Sequence, residues 1–250
     1  MTIDVDTMVA TILDTYSGPD TDVAWLACDR HPADRVALVL AAADLSTKTV
    51  TYGELAESSR RFAAVLRSRG VTPGDRVATL MGKSEDLVTV ILGIWRAGAV
   101  YVPLFTAFAE GAIGSRLDAT STVLVVADED QRPKLPGGSW QVLVSGGASG
   151  QDSLVRALDE APAEGRHSIA VGGDAPLVHM LTSGTTGAPK GVVHPVRYLA
   201  GWHSYLEFGL GLEHDSVFWC GADPGWAYGL YTAIAAPLAA GIPTILAGGG

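Results

Sequence analysis

The chain has 250 residues, 48% hydrophobic and 18% charged, with a net charge of −10. The apolar content supports a sizeable core and excludes wholesale disorder, in a length that allows one large domain or two smaller ones. The acidic balance excludes a nucleic-acid surface, which needs clustered Lys and Arg. Cys28 and Cys220 stand alone, with no Cys-x-x-Cys. No disulfide framework is expected, and a reducing cytoplasm fits. The first residues, Met1-Thr2-Ile3-Asp4-Val5-Asp6, lack the basic start and apolar core of a signal peptide.

In chain order, residues 1–22 read as a short helix and a loop, and Trp25 to Pro32 as a helix end broken by the proline. Residues 35–40 and 49–52 are strand candidates. Thr51-Tyr52-Gly53-Glu54 has the spacing of a capping box and predicts a helix from near Gly53. Leu55, Phe62, Val65 and Leu66 share one face of it, and Gly70 can close it. Val71-Thr72-Pro73-Gly74-Asp75 is a turn by composition, followed by a strand over residues 76–81. Ser84 can cap the next helix, with Glu85 and Asp86 at its positive end, and Gly98 stops it. Residues 99–103 form a strand, Phe105-Thr106-Ala107-Phe108 opens a helix through about Leu117, and residues 123–127 form a buried strand. Residues 128–175 are poorer in core residues, with one strand over 141–144 and one helix over 152–158. Gly146-Gly147-Ala148-Ser149-Gly150 is out of frame for a nucleophile elbow and reads as a loop.

Residues 176–181 then read as a buried strand and residues 191–194 as a second short strand. Between them lies Thr182-Ser183-Gly184-Thr185-Thr186-Gly187-Ala188-Pro189-Lys190. Its hydroxyls and backbone N–H groups can face an anion, its glycines permit positive φ and close approach, and Lys190 adds a charge. A phosphate loop is one reading and an ordinary flexible Ser/Thr/Gly loop the other. The Walker A pattern does not fit, because Pro189 falls where its Gly-Lys-Ser/Thr should begin.

Residues 196–208 read as a helix and 216–220 as a strand. His194, His203, His214 and Cys220 lack metal-ligand spacing, so no protein-held metal is expected. In Ala222-Asp223-Pro224-Gly225-Trp226-Ala227-Tyr228-Gly229, a rigid turn carries a large aromatic. It suits either a pocket wall or a core tryptophan. From Pro224 to Gly250 there is no charge, yet Gly225, Gly229, Pro237, Gly241 and Pro243 interrupt the run. A buried helix followed by a buried strand is expected rather than a membrane span.

Alternating strands and helices predict an α/β fold with parallel-rich sheets flanked by helices, without internal repeats. A subdomain boundary is expected near residue 175, dividing 1–175 from 176–250.

Ser183 to Gly191, S-G-T-T-G-A-P-K-G, resembles the signature of the adenylate-forming (AMP-binding) superfamily, which includes acyl-CoA synthetases, luciferases and peptide-synthetase adenylation domains. The runs Thr-Tyr-x-Glu-Leu to Pro-Gly-Asp-Arg-Val and Arg96 to Pro103 resemble two further conserved regions, and matches extend over roughly residues 23 to 247. Trp25 to Pro32 and the Asp-x-Gly-Trp stretch at Asp223 resemble the acetyl- and medium-chain acyl-CoA synthetase branch.

The resemblance implies the N-terminal portion of an acyl-CoA synthetase-like large domain. It implies ATP, Mg2+ and coenzyme A, and two-step activation of a short- or medium-chain carboxylic acid through an acyl-adenylate. Thr182, Ser183, Gly184, Thr185, Thr186 and Gly187 would hold the ATP phosphates. Lys190 would support the loop and the triphosphate, with Thr182 beside it. Trp226, Ala227, Tyr228 and Gly229 would shape the acyl pocket, with small Ala227 leaving room beside the indole. Arg116 stands where acetyl-CoA synthetases carry an arginine near coenzyme A phosphates; an exposed helix arginine is the other reading. Against a usual member the sequence stops about halfway, without the later Thr-Glu motif, the ribose-binding aspartate or the C-terminal domain with its lysine. It is therefore expected to be truncated, to lack a C-terminal half or complementary chain, and to be inactive alone. An amino-acid-adenylating domain and a non-catalytic nucleotide-binding or assembly module are the alternatives. Ala222, preceding Asp223 in place of an aromatic, speaks against the first.

Overall fold

The computed structural model describes residues 4–147, 150–164, 166–182 and 190–248. Two sheets organise them. The smaller contains β1 (Val36–Ala41) and β2 (Thr47–Thr51) from early in the chain, and the larger is built from β3 (Arg76–Leu80), β4 (Val100–Pro103), β5 (Thr122–Asp128), β6 (Gln141–Ser145), β7 (Pro176–Thr182) and β8 (Lys190–Pro195). The smaller sheet is completed by β9 (Phe218–Trp219) and β10 (Thr244–Ala247). The orders are β2-β1-β10-β9 and β6-β5-β3-β4-β7-β8. In the larger sheet every pairing is parallel except β7 with β8. In the smaller one β1 pairs antiparallel with β2, while β10 pairs parallel with β1 and β9.

Both sheets draw strands from both sides of residue 175: β7 and β8 extend the sheet begun by β3, and β10 docks on β1. Strand pairing thus crosses residue 175 in both sheets.

Strands buried on both faces need apolar side chains in both directions. In β3 and β5, Val77, Leu124 and Val126 enter one core, whereas Ala78, Leu80, Val125 and Ala127 enter another. The first core is covered by α2 (Tyr52–Ser68) and α3 (Glu85–Arg96), through Phe62, Leu66, Ile91 and Trp95. The second is covered by α4 (Glu110–Thr120), through Ile113 and Leu117, while α5 (Leu154–Asp159) adds Leu154 to the first.

Local chemistry sets the helix ends. Thr51 Oγ1 accepts from the Glu54 N–H, while Glu54 Oε2 accepts from the Thr51 N–H at 2.7 Å, forming the expected capping box. At the other end Gly70 takes φ 84°, its N–H reaching the Arg67 carbonyl while that of Val71 reaches Leu66. These are the two bonds of a Schellman motif. Ser84 caps α3, and Gly98 closes it with the same pair of bonds. Helix α4 begins at Glu110, later than the helix expected from Phe105. Residues 105–108 form a turn instead, with the Phe108 N–H on the Phe105 carbonyl and both rings drawn toward Trp226.

A buried ion pair fastens the N-terminal part. Asp29 ends a π-helical turn, Trp25–Asp29, and accepts from Arg96 Nη1 at 2.7 Å and Nη2 at 2.5 Å. Arg96 Nε donates to Ser59 Oγ, joining α2, α3 and the turn. The N-terminal helix α1 (Val5–Ser17) docks on α6 (Tyr198–Ser204), where Tyr16 OH meets His203 Nδ1 at 2.9 Å. The uncharged final segment folds as α7 (Ala227–Leu230), a π-helical turn Tyr231–Ala235, α8 (Ala236–Ala240) and β10. Among the described residues, no helix is long and apolar enough to cross a membrane.

Candidate functional site

Because β3 to β7 run parallel, Leu80, Pro103, Asp128, Ser145 and Thr182 end at one edge of the larger sheet. The chain goes from β3 outward to β4 and then returns to β5 on the other side of β3. Such a reversal leaves a crevice beyond the strand ends, the usual ligand position in open α/β sheets. Here a cavity of about 590 Å³ opens there, lined by Lys83 after β3 and by Asp128 and Asp130 around the end of β5. Its other wall is the carboxyl edge of the smaller sheet, with Trp219, Asp223 and Ala247. Lys83 Nζ crosses it to donate to the Cys220 carbonyl at 2.9 Å.

Asp128 accepts from the Gly82 N–H at 2.7 Å. Burial raises its carboxyl above the usual range; that bond opposes the shift, and the nearby charges of Asp130 and Asp86 add to it. Burial also raises Asp223, against a bond from the Gly225 N–H and the charge of Lys83.

The Asp223 turn is fixed by steric need. A Cβ on Gly225 would lie 2.7 Å from Phe105 Cα, and one on Gly229 only 2.0 Å from the Asp223 carbonyl oxygen. The turn sets Trp226, 46% exposed, against Phe105 and Phe108 at ring distances of 5.6 and 6.0 Å. Arg116 lies over one aromatic of this cluster, its guanidinium carbon 4.1 Å from the Phe108 ring centre. Its Nη1 donates to the Ala112 carbonyl, and its buried Nε has no partner among the described residues. The structure thus brings both Arg116 and Trp226 against Phe108.

Ala227 and Tyr228 start α7. The Tyr228 hydroxyl lies 3.4 Å from that of Tyr205, and its ring packs edge-on to Trp202.

Thr182 and Lys190 face each other across the β7–β8 pair, where Thr182 Oγ1 donates to the Lys190 carbonyl at 3.3 Å. Both are exposed. A Cβ on Gly191 beside them would meet the end of the His179 side chain, Nε2 at 2.5 Å, so a larger residue there needs that ring to shift. Ser183, Gly184, Thr185, Thr186 and Gly187 lie outside the described residues. Strand β8 is tied inward by His194, whose Nδ1 pairs with the buried Tyr231 hydroxyl at 2.8 Å; burial lowers the basicity of this imidazole. Among the described residues, no group of His, Cys, Asp or Glu is arranged to hold a metal ion.

Sequence reasoning missed Phe105, Phe108, Lys83 and Asp128. The two phenylalanines carried a signal, a pair of large aromatics beside a strand end. Lys83 and Asp128 carried none, because their proximity depends on strand order.

The AMP-binding enzyme family matches residues 25–250. The chain is 33% identical to acetyl-coenzyme A synthetase of Bacillus subtilis over 241 residues, covering 91% of this chain and 42% of that protein. It is 31% identical to acetyl-coenzyme A synthetase 2 of Saccharomyces cerevisiae, covering 90% and 38% of the two chains. The fold superposes on the crystal structure of Brucella canis acyl-CoA synthetase with a TM-score of 0.88 and 37% identity, over 97% of this chain and 46% of that one. The N-terminal subdomain of Klebsiella oxytoca NpsA, in complex with 3-hydroxyanthranilyl-AMSN, gives 0.77 and 28%, over 96% and 56%. The chain thus spans less than half the length of these curated relatives. With nearly all of its residues inside the family match, and with a parallel-rich sheet whose switch-point crevice adjoins the Asp223 turn, this chain belongs to the AMP-binding enzyme family.

Proposed function

We propose that this chain forms the N-terminal, nucleotide- and acid-binding part of an AMP-forming acid–thiol ligase. The observation that carries the proposal is that β7 ends at Thr182 on the same sheet edge as the crevice, paired there with Lys190 of β8, the two residues that bracket the loop of the S-G-T-T-G-A-P-K-G signature in sequence. In the reaction, a carboxylate attacks the α-phosphate of ATP and pyrophosphate leaves; the thiol of coenzyme A then displaces AMP from the acyl group. Both steps require phosphate charge to be neutralised and reactants aligned.

The donor set suits that task. Lys190 offers an exposed ammonium and Thr182 a hydroxyl, and Ser183, Gly184, Thr185, Thr186 and Gly187 would complete the phosphate cradle. Arg116, whose buried Nε has no partner among the described residues and whose guanidinium lies over the Phe108 ring, fits a coenzyme A phosphate. Trp226 and Ala227 would border the acyl group, with Tyr228 and Gly229 behind them. The described residues offer no carboxylate cluster for Mg2+, so no step is assigned to a protein-held ion. The acid is a short- or medium-chain carboxylate, in keeping with the acetyl-coenzyme A synthetases among the relatives. A reducing cytoplasm suits the free, buried Cys28 and Cys220.

The test combines ATP titration calorimetry with carboxylate-dependent ATP–pyrophosphate exchange, across acids from acetate to octanoate. ATP binding that depends on Lys190 is expected, and exchange with one acid names the substrate. A chain that binds no ATP overturns the proposal.

A further inference from the structure

Tyr228 belongs to an aromatic assembly that starts on the phosphate-loop strand. His194 of β8 binds the Tyr231 hydroxyl, and its ring lies 4.4 Å from that of Tyr198. Side chains two and four residues apart share a face of a strand, so His194 lies on the same face of β8 as Lys190. Trp202 stacks on the buried Tyr231 at 5.2 Å, with 5° between the planes. Trp202 then meets Tyr205 and Tyr228, each at 6.0 Å, and those two rings lie 6.5 Å apart. The three are inclined to one another by 90°, 69° and 67°.

Two π-helical turns, Tyr205–Gly209 and Tyr231–Ala235, place the rings. Such turns carry an extra residue and recur at functional sites. A Cβ on Gly209 would lie 2.7 Å from the Tyr205 ring, so the bare glycine lets that ring fold back over its own turn.

The inner rings are anchored, and the outer ones are open. Tyr205 and Tyr228 are 37% and 47% exposed. Their hydroxyls share one long contact, at 3.4 Å, and neither has another partner among the described residues. A phenol donates once and can also accept, so the pair keeps a free O–H and free acceptors. Small Ala227 separates Tyr228 from the exposed Trp226. Rings inclined in this way favour a further ring, which can pack edge-to-face or offset against them. The open hydroxyls at their tips favour a polar group on that ring.

We propose that Trp202, Tyr205 and Tyr228 select the acid, and that it is a short carboxylate bearing a hydroxylated aromatic ring. The ring packs against the three side chains, its hydroxyl meets the two phenol oxygens, and its carboxylate points toward the Lys190 end of the strand face. The proposal rests on the carboxylate-activation reading and names the acid which that reading leaves open.

The test is calorimetric titration of the purified chain with 4-hydroxyphenylacetate, phenylacetate and cyclohexylacetate, each with and without ATP. The hydroxylated acid is expected to bind about fivefold tighter than phenylacetate, the worth of one hydrogen bond. Phenylacetate should bind about threefold tighter than its saturated counterpart, the range of an aromatic pair. The Tyr205→Phe, Tyr228→Phe double variant loses two exposed hydroxyls and no carbon. It should abolish the first ratio and keep the second. Tyr205→Leu should lower the second. Cyclohexylacetate binding as tightly as the hydroxylated acid, or no acid binding, would overturn the assigned class. A hydroxyl preference that survives in the double variant would overturn the assigned residues. ATP binding without any preference among the acids overturns this inference alone. Absence of ATP binding overturns the activation reading, and the nucleotide-free series still decides the ring preference.

Discussion

Replacing Asp29 with Asn removes one charge and little volume from a site where the partner cannot reach water. The Arg96 side chain is 1% exposed and that of Asp29 16%. Removing one member of a buried, bidentate pair leaves an uncompensated charge and typically costs about 3–5 kcal/mol. Asn keeps one acceptor oxygen, so the lower end applies, about 3 kcal/mol. For a chain of this length each kcal/mol moves the melting midpoint by about 2–4 °C, giving a fall of roughly 6–12 °C. Lys48–Glu85, with side chains 66% and 31% exposed, is the internal contrast. Lys48→Ala should cost less than about 1 kcal/mol.

The pH dependence follows from the same contacts. Burial by itself would raise the Asp29 carboxyl, but Arg96 and Arg60 overcome it and hold the group below the usual range. A carboxyl lowered by folding contributes stability that is fully present above its unfolded pKa of about 3.9 and is lost as pH falls through the folded value. Thermal melts of wild type and Asp29→Asn should therefore differ most near neutrality and converge in acid. A neutral-pH loss no larger than that of Lys48→Ala, or a gap that widens in acid, would refute the reasoning.

Gly229→Ala would press a Cβ to 2.0 Å from the Asp223 carbonyl oxygen, a backbone atom that cannot rotate away. A loss of about 1–3 kcal/mol is expected in denaturant melts; an unchanged midpoint would show that the turn relaxes. Phe108→Ala removes the Arg116 contact and two edge contacts, to Phe105 and Trp226. About 2–4 kcal/mol should be lost, and Phe108→Tyr should restore most of it. Lys190→Ala alters an exposed side chain and should leave stability within about 0.5 kcal/mol. It should weaken ATP binding by about tenfold or more, as expected for a lost charge-assisted bond; equal affinity would remove Lys190 from the phosphate site.

What could be read from the sequence was local. Thr51 and Glu54 lie three residues apart, as do Ser84 and Leu87, so these caps close within one helical turn whatever surrounds them. Gly70 and Gly98 end helices because their positive φ is a property of the residue itself. The apolar runs of β3 and β5 announce strands covered on both faces, and S-G-T-T-G-A-P-K-G announces the family without any fold. Tertiary structure decided the rest. Phe105 and Phe108 leave the expected helix for Trp226, more than a hundred residues away. Lys83 reaches the Cys220 carbonyl across a separation of 137 residues, and Leu38 pairs with Thr244. Such partners share no turn of helix and no short loop. Their meeting depends on which strand adds to which sheet edge, and that choice rests on burying both cores together rather than on any local preference.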